Sequence, residues 1–454
     1  VCLKDKVAPN KLVAEGSSIR FKEQVCCTTR RVTKVGGYNI QTIDLPFIYT
    51  YADCTHNEEI ALKNRHQCVQ IPIQKRELMI SRGILDDMAK RILEEQEVRR
   101  MGVSEFIDRY TGMHKKQFMT AMESLRTEAL TNRDARVKMF IKDEKFEVGA
   151  WKPPRCIQFR NKRYCLTLGR FLGPIEHATY NYEDEYTTRV IAKGRNHRQR
   201  AQDLRTKWEQ FTEPCGILLD HSKFDAHVGV KVLKEEHRYY RKFYRNSNLL
   251  RQILNWQLVN FGITRHGTKY KTIGTRMSGD MNTGLGNSIL SYSFAKAWLR
   301  DSGVLGTVYC DGDDVVVIVE AADVNRLLPV TQFFAKLGME TKFDAKQIVR
   351  HFEHLEFCQC RPVEVNGNWR MVRNPVRVLS RMLVTPHRIQ SSKEMLVYRK
   401  SIGMCELACS YGVPVLQSLA NGFINNGKGK FDARVQSEFH RLKFEQSPLE
   451  AKSQ

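Results

Sequence analysis

The stretch YCDGDDVVVIVE, residues 309–320, sets three aspartates directly before an apolar, β-branched run. An Asp-Gly step between such runs is the strongest short-range signal for a tight β-hairpin, so Asp311 and Gly312 read first as a turn. That reading leaves the adjacent Asp313 and Asp314 without a role. Two carboxylates about 4 Å apart repel by roughly 4 kcal/mol at an effective dielectric near 20, so a half-buried pair calls for a cation. Turn and acidic site both remain open on this segment alone.

Working outward, the chain has 454 residues, enough for several subdomains around a shared cleft. Lys and Arg number 73 against 50 Asp and Glu, a formal net charge of +23, which points to a polyanion. The positive residues are spread along the chain and not gathered on one amphipathic helix, which favours nucleic acid over a membrane surface. Thirteen cysteines form no regular framework; Cys26 and Cys27 are adjacent, and Cys358 and Cys360 lie two apart. Reduced thiols in an intracellular protein are expected, and no His and Cys grouping has zinc-finger spacing. No apolar run approaches the roughly 18 residues of a membrane span. The chain starts at Val1, as a piece cut from something longer would.

Upstream of the hairpin, CGILLDHSKFDAHVGV (215–230) reads as a short strand, Ile217 to Leu219, ending on Asp220, with Asp225 beyond a turn. Capping of a helix is the competing role for Asp220. A helix is expected from about Val228 to Tyr244. RMSGDMNTGLGNSILSYSFAKAWLR (276–300) opens as a Gly-rich loop and becomes a helix with Leu290, Phe294, Ala297 and Trp298 on its apolar face. It lacks the strand and G-x-G-x-x-G spacing of a dinucleotide site. A helix from Ala322 to Leu337 and the strand-like METKFD (339–344) follow. Helical periodicity over Ile84 to Leu130 and a mostly helical end from about residue 375 complete an α+β fold with an antiparallel centre.

If Asp220 and the hairpin acids end neighbouring antiparallel strands, three carboxylates converge, as two Mg²⁺ ions require. Ser278, Thr283 and Asn287 put small polar groups on the loop and the start of the helix. An Asn beside an Asp carboxylate supplies donor and acceptor to sugar hydroxyls. In FIKDEK and KPPRCIQFR, Lys142, Lys145, Lys152, Arg155 and Arg160 lie on extended segments, where a planar guanidinium suits phosphate. Lys342 could donate a proton to departing pyrophosphate. A solvated basic surface is the plain alternative for all of these, as it is for the basic run at 189–207.

The order D-x4-D, SG-x3-T-x3-N, GDD, a lysine and EFCQC resembles the palm of viral RNA-dependent RNA polymerases. KPPRCIQFR, DHSKFDAHV, GDMNTGLGNS and FCQ are most similar to those of plus-strand, tombusvirus-like viruses, over about residues 130–425. The resemblance implies an α+β right hand of fingers, palm and thumb, its antiparallel palm sheet flanked by helices. The boundaries expected are an N-terminal extension (1–80) packing on fingers and thumb, fingers (81–209), palm (210–240), a fingers insertion (241–271), palm (272–374) and thumb (375–454). It implies Asp220, Asp313 and Asp314 around two Mg²⁺ or Mn²⁺ ions, and Lys342 as general acid. Asp225, Ser278, Thr283 and Asn287 would select the ribonucleotide, and Lys145, Arg155 and Arg160 would line the triphosphate path. Lys142, Lys152, Gly279, Cys358 and Arg361 would touch RNA, with 356–361 near the primer grip. Many relatives carry a neutral residue at Asp311; the fourth acid is either the turn residue or a modifier of metal preference. RNA template, nascent RNA and nucleoside triphosphates are the expected partners. Other viral replication proteins and host cytoplasmic membranes would be reached through a separate or missing segment. A reverse transcriptase and an inactive RNA-binding scaffold are the rival readings.

Overall fold

Five consecutive β-branched residues, Val315 to Val319, do not alternate with polar ones, and a strand of that kind needs cover on both faces. The computed structural model, which describes residues 2, 17–20, 33–35, 45–66, 70–149, 152–432 and 435, provides it. Asp314–Glu320 lies inside a sheet ordered Gly306–Asp311, Asp314–Glu320, Pro214–Ser222, Glu340–Lys342, with every pair antiparallel. Ile348–Val349 adds to the far end of Pro214–Ser222. Val315, Val317 and Val319 pack into the main core with the helices Lys75–Glu95, Val230–Phe243 and Thr283–Ser302. Val316 and Ile318 face the opposite way, onto Ala201, Leu204 and Trp208 of the helix His197–Trp208 and onto Leu355 and Phe357.

The helix Thr283–Ser302 runs behind this sheet and is buried nearly all round, with Leu290, Phe294, Ala297 and Trp298 on the expected inner face. It stops at Gly303, whose left-handed φ of 63° closes the C-terminus. A second, five-stranded sheet is ordered Ser18–Arg20, Lys269–Ile273, Val259–Thr264, Val137–Ile141, Cys156–Arg160. Cys156–Arg160 starts after Pro153 and Pro154, as their bar to helix requires. The chain ends in three described helices, Pro375–Met382, Ser392–Ser410 and Pro414–Asn425.

Several elements differ from the sequence reading. Pro214–Ser222 continues past Asp220, so Asp220 sits within a strand and caps nothing. The helix expected over Ala322 to Leu337 is a 3₁₀ turn, Ala321–Arg326, and a short helix, Val330–Ala335, because Pro329 disfavours helical backbone just before it. The helical pattern from Ile84 breaks into Lys75–Glu95, Val103–Asp108 and Gly112–Thr127. The Cys26–Cys27 pair, much of the expected N-terminal extension and the end of the last helical region lie outside the described residues. Among the described residues no helix is long and apolar enough to cross a membrane.

Candidate active site

The register of the central sheet sets one row of charged residues across four strands: Asp311 opposite Asp314, Asp314 opposite Asp220, and Asp220 opposite Lys342. Directly opposed residues share a face, with Cβ atoms about 4.5–5.5 Å apart. The Asp311–Asp314 pairing leaves Gly312 and Asp313 as a two-residue hairpin loop. Gly312 has φ 67° and Asp313 does not share the positive sign, the pattern of a turn with Gly first. Ser288, on the helix behind, accepts from Gly312 N at 2.9 Å and fixes the loop. Thus the hairpin and the acidic site are the same object: the turn holds Asp313 at its tip and pins Asp314 beside Asp220.

Among the described residues, none of Asp220, Asp313 and Asp314 has an ion-pair partner. Their surroundings make that costly. The protein packed around Asp313 raises its carboxyl pKa, and Asp225 adds to the rise. Desolvation, then Asp313 and Asp311, push Asp314 up to about 7, although both side chains remain exposed. Carboxylates held together with no cation in ion-pair contact, only the more distant charges of Arg65 and Arg155, are what a hard divalent cation would satisfy.

Asp311 differs from its neighbours. Lys193 Nζ lies 2.5 Å from one of its oxygens and Arg200 Nη2 2.6 Å from the other. These cations hold Asp311 below the usual carboxylate range against its burial. The fourth acid is therefore already neutralised. The basic run at 189–207 proves to be mostly paired: Arg195 with Asp203 at 2.8 Å, and Arg205 with Glu209 at 2.7 Å. Lys207 is fully buried, 2.6 Å from Thr188 Oγ1 and 3.3 Å from Asp184.

A second group of polar side chains forms next to Asp313. Asn287 Nδ2 donates to Asp225 Oδ1 at 2.8 Å, and the Ser278 hydroxyl donates to Asp225 Oδ2. The orientation of Asn287 is set from behind, since its Oδ1 accepts from Arg276 Nε at 2.9 Å. Arg276 is itself buried against Glu236, and Gly286 is needed there because a Cβ would collide with both groups. Arg65, at the end of the helix Thr55–His66, reaches Asp225 Oδ2 at 3.4 Å and is a site residue the sequence did not suggest. Thr283 stands apart: its hydroxyl bonds Met277 O at the start of its helix.

The upstream cations divide. Arg155 is half-exposed and clamps Glu144 bidentately, while feeling the charges of Asp313 and Asp225. Lys142 Nζ joins the same Glu144 at 2.9 Å, and Lys152 is exposed. Arg160 is a correction: its guanidinium is buried on Asp280 at 2.6 and 2.9 Å, Ala135 O at 2.6 Å and Asn260 at 2.7 Å. With four of its five donors spent inside the fold and the guanidinium buried, Arg160 is not available to a triphosphate, and a motif reading cannot see Asp280 coming from 120 residues away. Lys145 is likewise turned away, donating to Arg381 O at 2.9 Å. Gly279 is a packing residue, since a Cβ would strike Gln158 O. Cys358 sits in a tight turn with φ 51°, its sulfur 3.4 Å from Arg200 Nη1 and close to Asp314, and Arg361 is exposed near Glu356 at 3.4 Å.

With this geometry in view, a family model described as viral RNA dependent RNA polymerase matches residues 21–451. The chain belongs to that family. Family relatives called RNA-directed RNA polymerase include those of tobacco necrosis virus strain A, 32% identical over 75% of this chain and 46% of the relative. The protein of tomato bushy stunt virus strain Cherry is 34% identical over 75% of this chain and 42% of its own length. That of melon necrotic spot virus is 35% identical over 71% and 41%. The chain thus spans less than half the length of these polymerase-family relatives, and the family model's match, residues 21–451, includes the charged row.

Proposed function

We propose that this chain is the catalytic part of a viral RNA-directed RNA polymerase, extending an RNA 3′ hydroxyl with nucleoside triphosphates on an RNA template. The observation that carries the reading is the row Asp311, Asp314, Asp220, Lys342, with Asp313 at the adjoining turn. Asp220, Asp313 and Asp314 would hold two Mg²⁺ or Mn²⁺ ions, the unpaired acids supplying oxygen ligands. Bound there, such ions supply an activated hydroxyl and a clamp on the transferring phosphate. Lys342 is exposed, makes no ion pair among the described residues and stands ready to protonate the departing pyrophosphate. Asp225, held by Ser278 and Asn287, would read the ribose hydroxyls. Arg155, Lys142 and Lys152 would border the triphosphate and RNA path.

In this reading the central sheet with its helices is the palm (210–240 and 272–374). The five-stranded sheet with the helices before it forms the fingers (81–209 and 241–271), and the last helices form the thumb (375–454). Host cytoplasmic membranes and other viral replication proteins would be engaged through a missing or separate segment. The polar, small side chains facing Asp225 support ribose over deoxyribose, against a reverse transcriptase. Unpaired clustered acids speak against an inert scaffold. Metal-dependent primer extension by the purified chain tests the reading: incorporation should be lost in Asp313→Ala and Asp220→Ala, by about 10³-fold or more. Parental rates in either variant refute it.

A further inference from the structure

Far from the acidic row in sequence, Cys2, Cys54 and His56 come together. Cys54 Sγ lies 3.8 Å from Cys2 Sγ, and His56 Nδ1 lies 3.8 Å from Cys2 Sγ. The sulfurs are thus too far apart for a disulfide, whose bond is about 2.05 Å. They match another geometry. A tetrahedral zinc with Zn–S near 2.3 Å spaces two sulfurs about 3.8 Å apart, and a sulfur and a nitrogen about 3.5 Å apart.

His56 gives a second, independent observation. It is 7% exposed, yet among the described residues neither ring nitrogen meets an oxygen or nitrogen partner: Nδ1 has only the sulfur of Cys2, and Nε2 is buried with none. A buried imidazole ordinarily satisfies both nitrogens. Here the unsatisfied ring is turned to two thiols.

We propose that Cys2, Cys54 and His56 form a zinc site, with a fourth ligand from water or another side chain. Two thiolates and an imidazole select zinc over the hard Mg²⁺ and Ca²⁺. Binding releases the two thiol protons and leaves the imidazole neutral. The neighbouring Asp53, Glu58 and His266 are the weaker candidate, because Asp53 already pairs with Arg265 at 2.8 Å and Glu58 accepts from His266 N at 3.3 Å.

The site has a place in the architecture. Cys54 precedes, and His56 lies in the first turn of, the helix Thr55–His66, which spans about 18 Å. Its other end carries Arg65 on Asp225 and His66, whose Nδ1 is 2.7 Å from Thr275 Oγ1. Zinc would tie Cys2 to the root of this helix. The site itself stands whether or not the polymerase reading does.

The test is metal analysis of the tag-free chain purified under reducing conditions without chelator. About one zinc per chain is expected, falling at least fivefold in Cys54→Ser and in His56→Ala. Cys2→Ser, at a half-buried position, keeps the comparison valid should those two fold poorly. Replacement by Co²⁺ should give the intense thiolate charge-transfer and visible bands of a tetrahedral site, both lost in Cys2→Ser. Three outcomes overturn the proposal: no zinc or cobalt uptake by the parent, zinc content unchanged in all three variants, or a Cys2–Cys54 disulfide in the peptide map of reduced-purified protein.

Discussion

Lys193 Nζ stands 2.5 Å from Asp311 Oδ1, and that contact separates Asp311 from the other acids of its row. With Arg200 on its second oxygen, Asp311 has exchanged the capacity to bind a cation for two protein cations. It braces the hairpin from one side while Ser288 holds Gly312 from the other. The expected consequence is that Asp311→Asn destabilises without changing metal use. Removing the charge from two charge-assisted hydrogen bonds should cost about 1–3 kcal/mol in chemical denaturation. The Mg²⁺ concentration giving half-maximal primer extension should move by no more than about threefold, whereas loss of a ligand or its direct support shifts metal affinity by about 10–100-fold. A tenfold shift would make Asp311 a ligand.

Asn287 is oriented by contacts on both ends of its amide, Arg276 on Oδ1 and Asp225 on Nδ2. Replacing it with Ala leaves the Asp225 carboxylate held by Ser278 and Arg65 alone. In a site that reads a hydroxyl, one hydrogen bond of this kind is worth about 10–100-fold in discrimination. Competition between ribo- and deoxyribonucleoside triphosphates on one template should show that loss in Asn287→Ala. An unchanged ratio would remove Asn287 from sugar recognition.

Behind Asn287, the Arg276–Glu236 pair is fully buried, Asn282 Nδ2 donating to Glu236 at 2.7 Å and Tyr240 OH at 2.7 Å. Breaking such a pair strands an uncompensated buried charge. Glu236→Gln should therefore lose about 3–5 kcal/mol in urea denaturation, and the apolar double variant Glu236→Leu, Arg276→Met should recover part of it. Sugar discrimination should fall in the double variant even where stability returns, because Asn287 has lost its orienting donor. A double variant that recovers stability yet discriminates like the parent would show that Arg276 only stabilises.

What could be read from residue order alone follows from which interactions are local. Asp220, Asp313 and Asp314 were legible because a hairpin and a strand have period two, so pairing two apolar runs brings the acids at their ends together. Asp225, Ser278 and Asn287 were legible as polar groups in tight local frames. The misreadings share one cause. Arg160, Lys145, Lys193 and Arg200 looked available because their partners, Asp280, Arg381 O and Asp311, lie 111 to 236 residues away. Nothing local announces a distant acceptor. Arg65 was missed for the converse reason, as it lies in a segment with no chemistry of its own and reaches the site only through the direction of its helix. The three zinc candidates are invisible by spacing, because Cys54 lies 52 positions after Cys2.

Acid should loosen the fold through its buried histidines before the common carboxylates titrate. His66, between Thr275 and Gln158, and His237, 3.1 Å from Gln257, are both buried, and desolvation lowers each to about 4 from 6.5. A folded pKa below the unfolded one means the unfolded chain takes up protons first. Their contribution is therefore complete above about pH 6.5, declines as pH falls, and is gone below about 4. At pH 5 the shift corresponds to roughly 2 kcal/mol lost per histidine. Urea denaturation at pH 7.5 and 5.0 should show a marked drop in the parent, and His237→Gln, which keeps a donor for Gln257, should reduce that drop by about the share of one histidine. Equal drops in parent and variant would mean that His237 is not a source of the acid sensitivity.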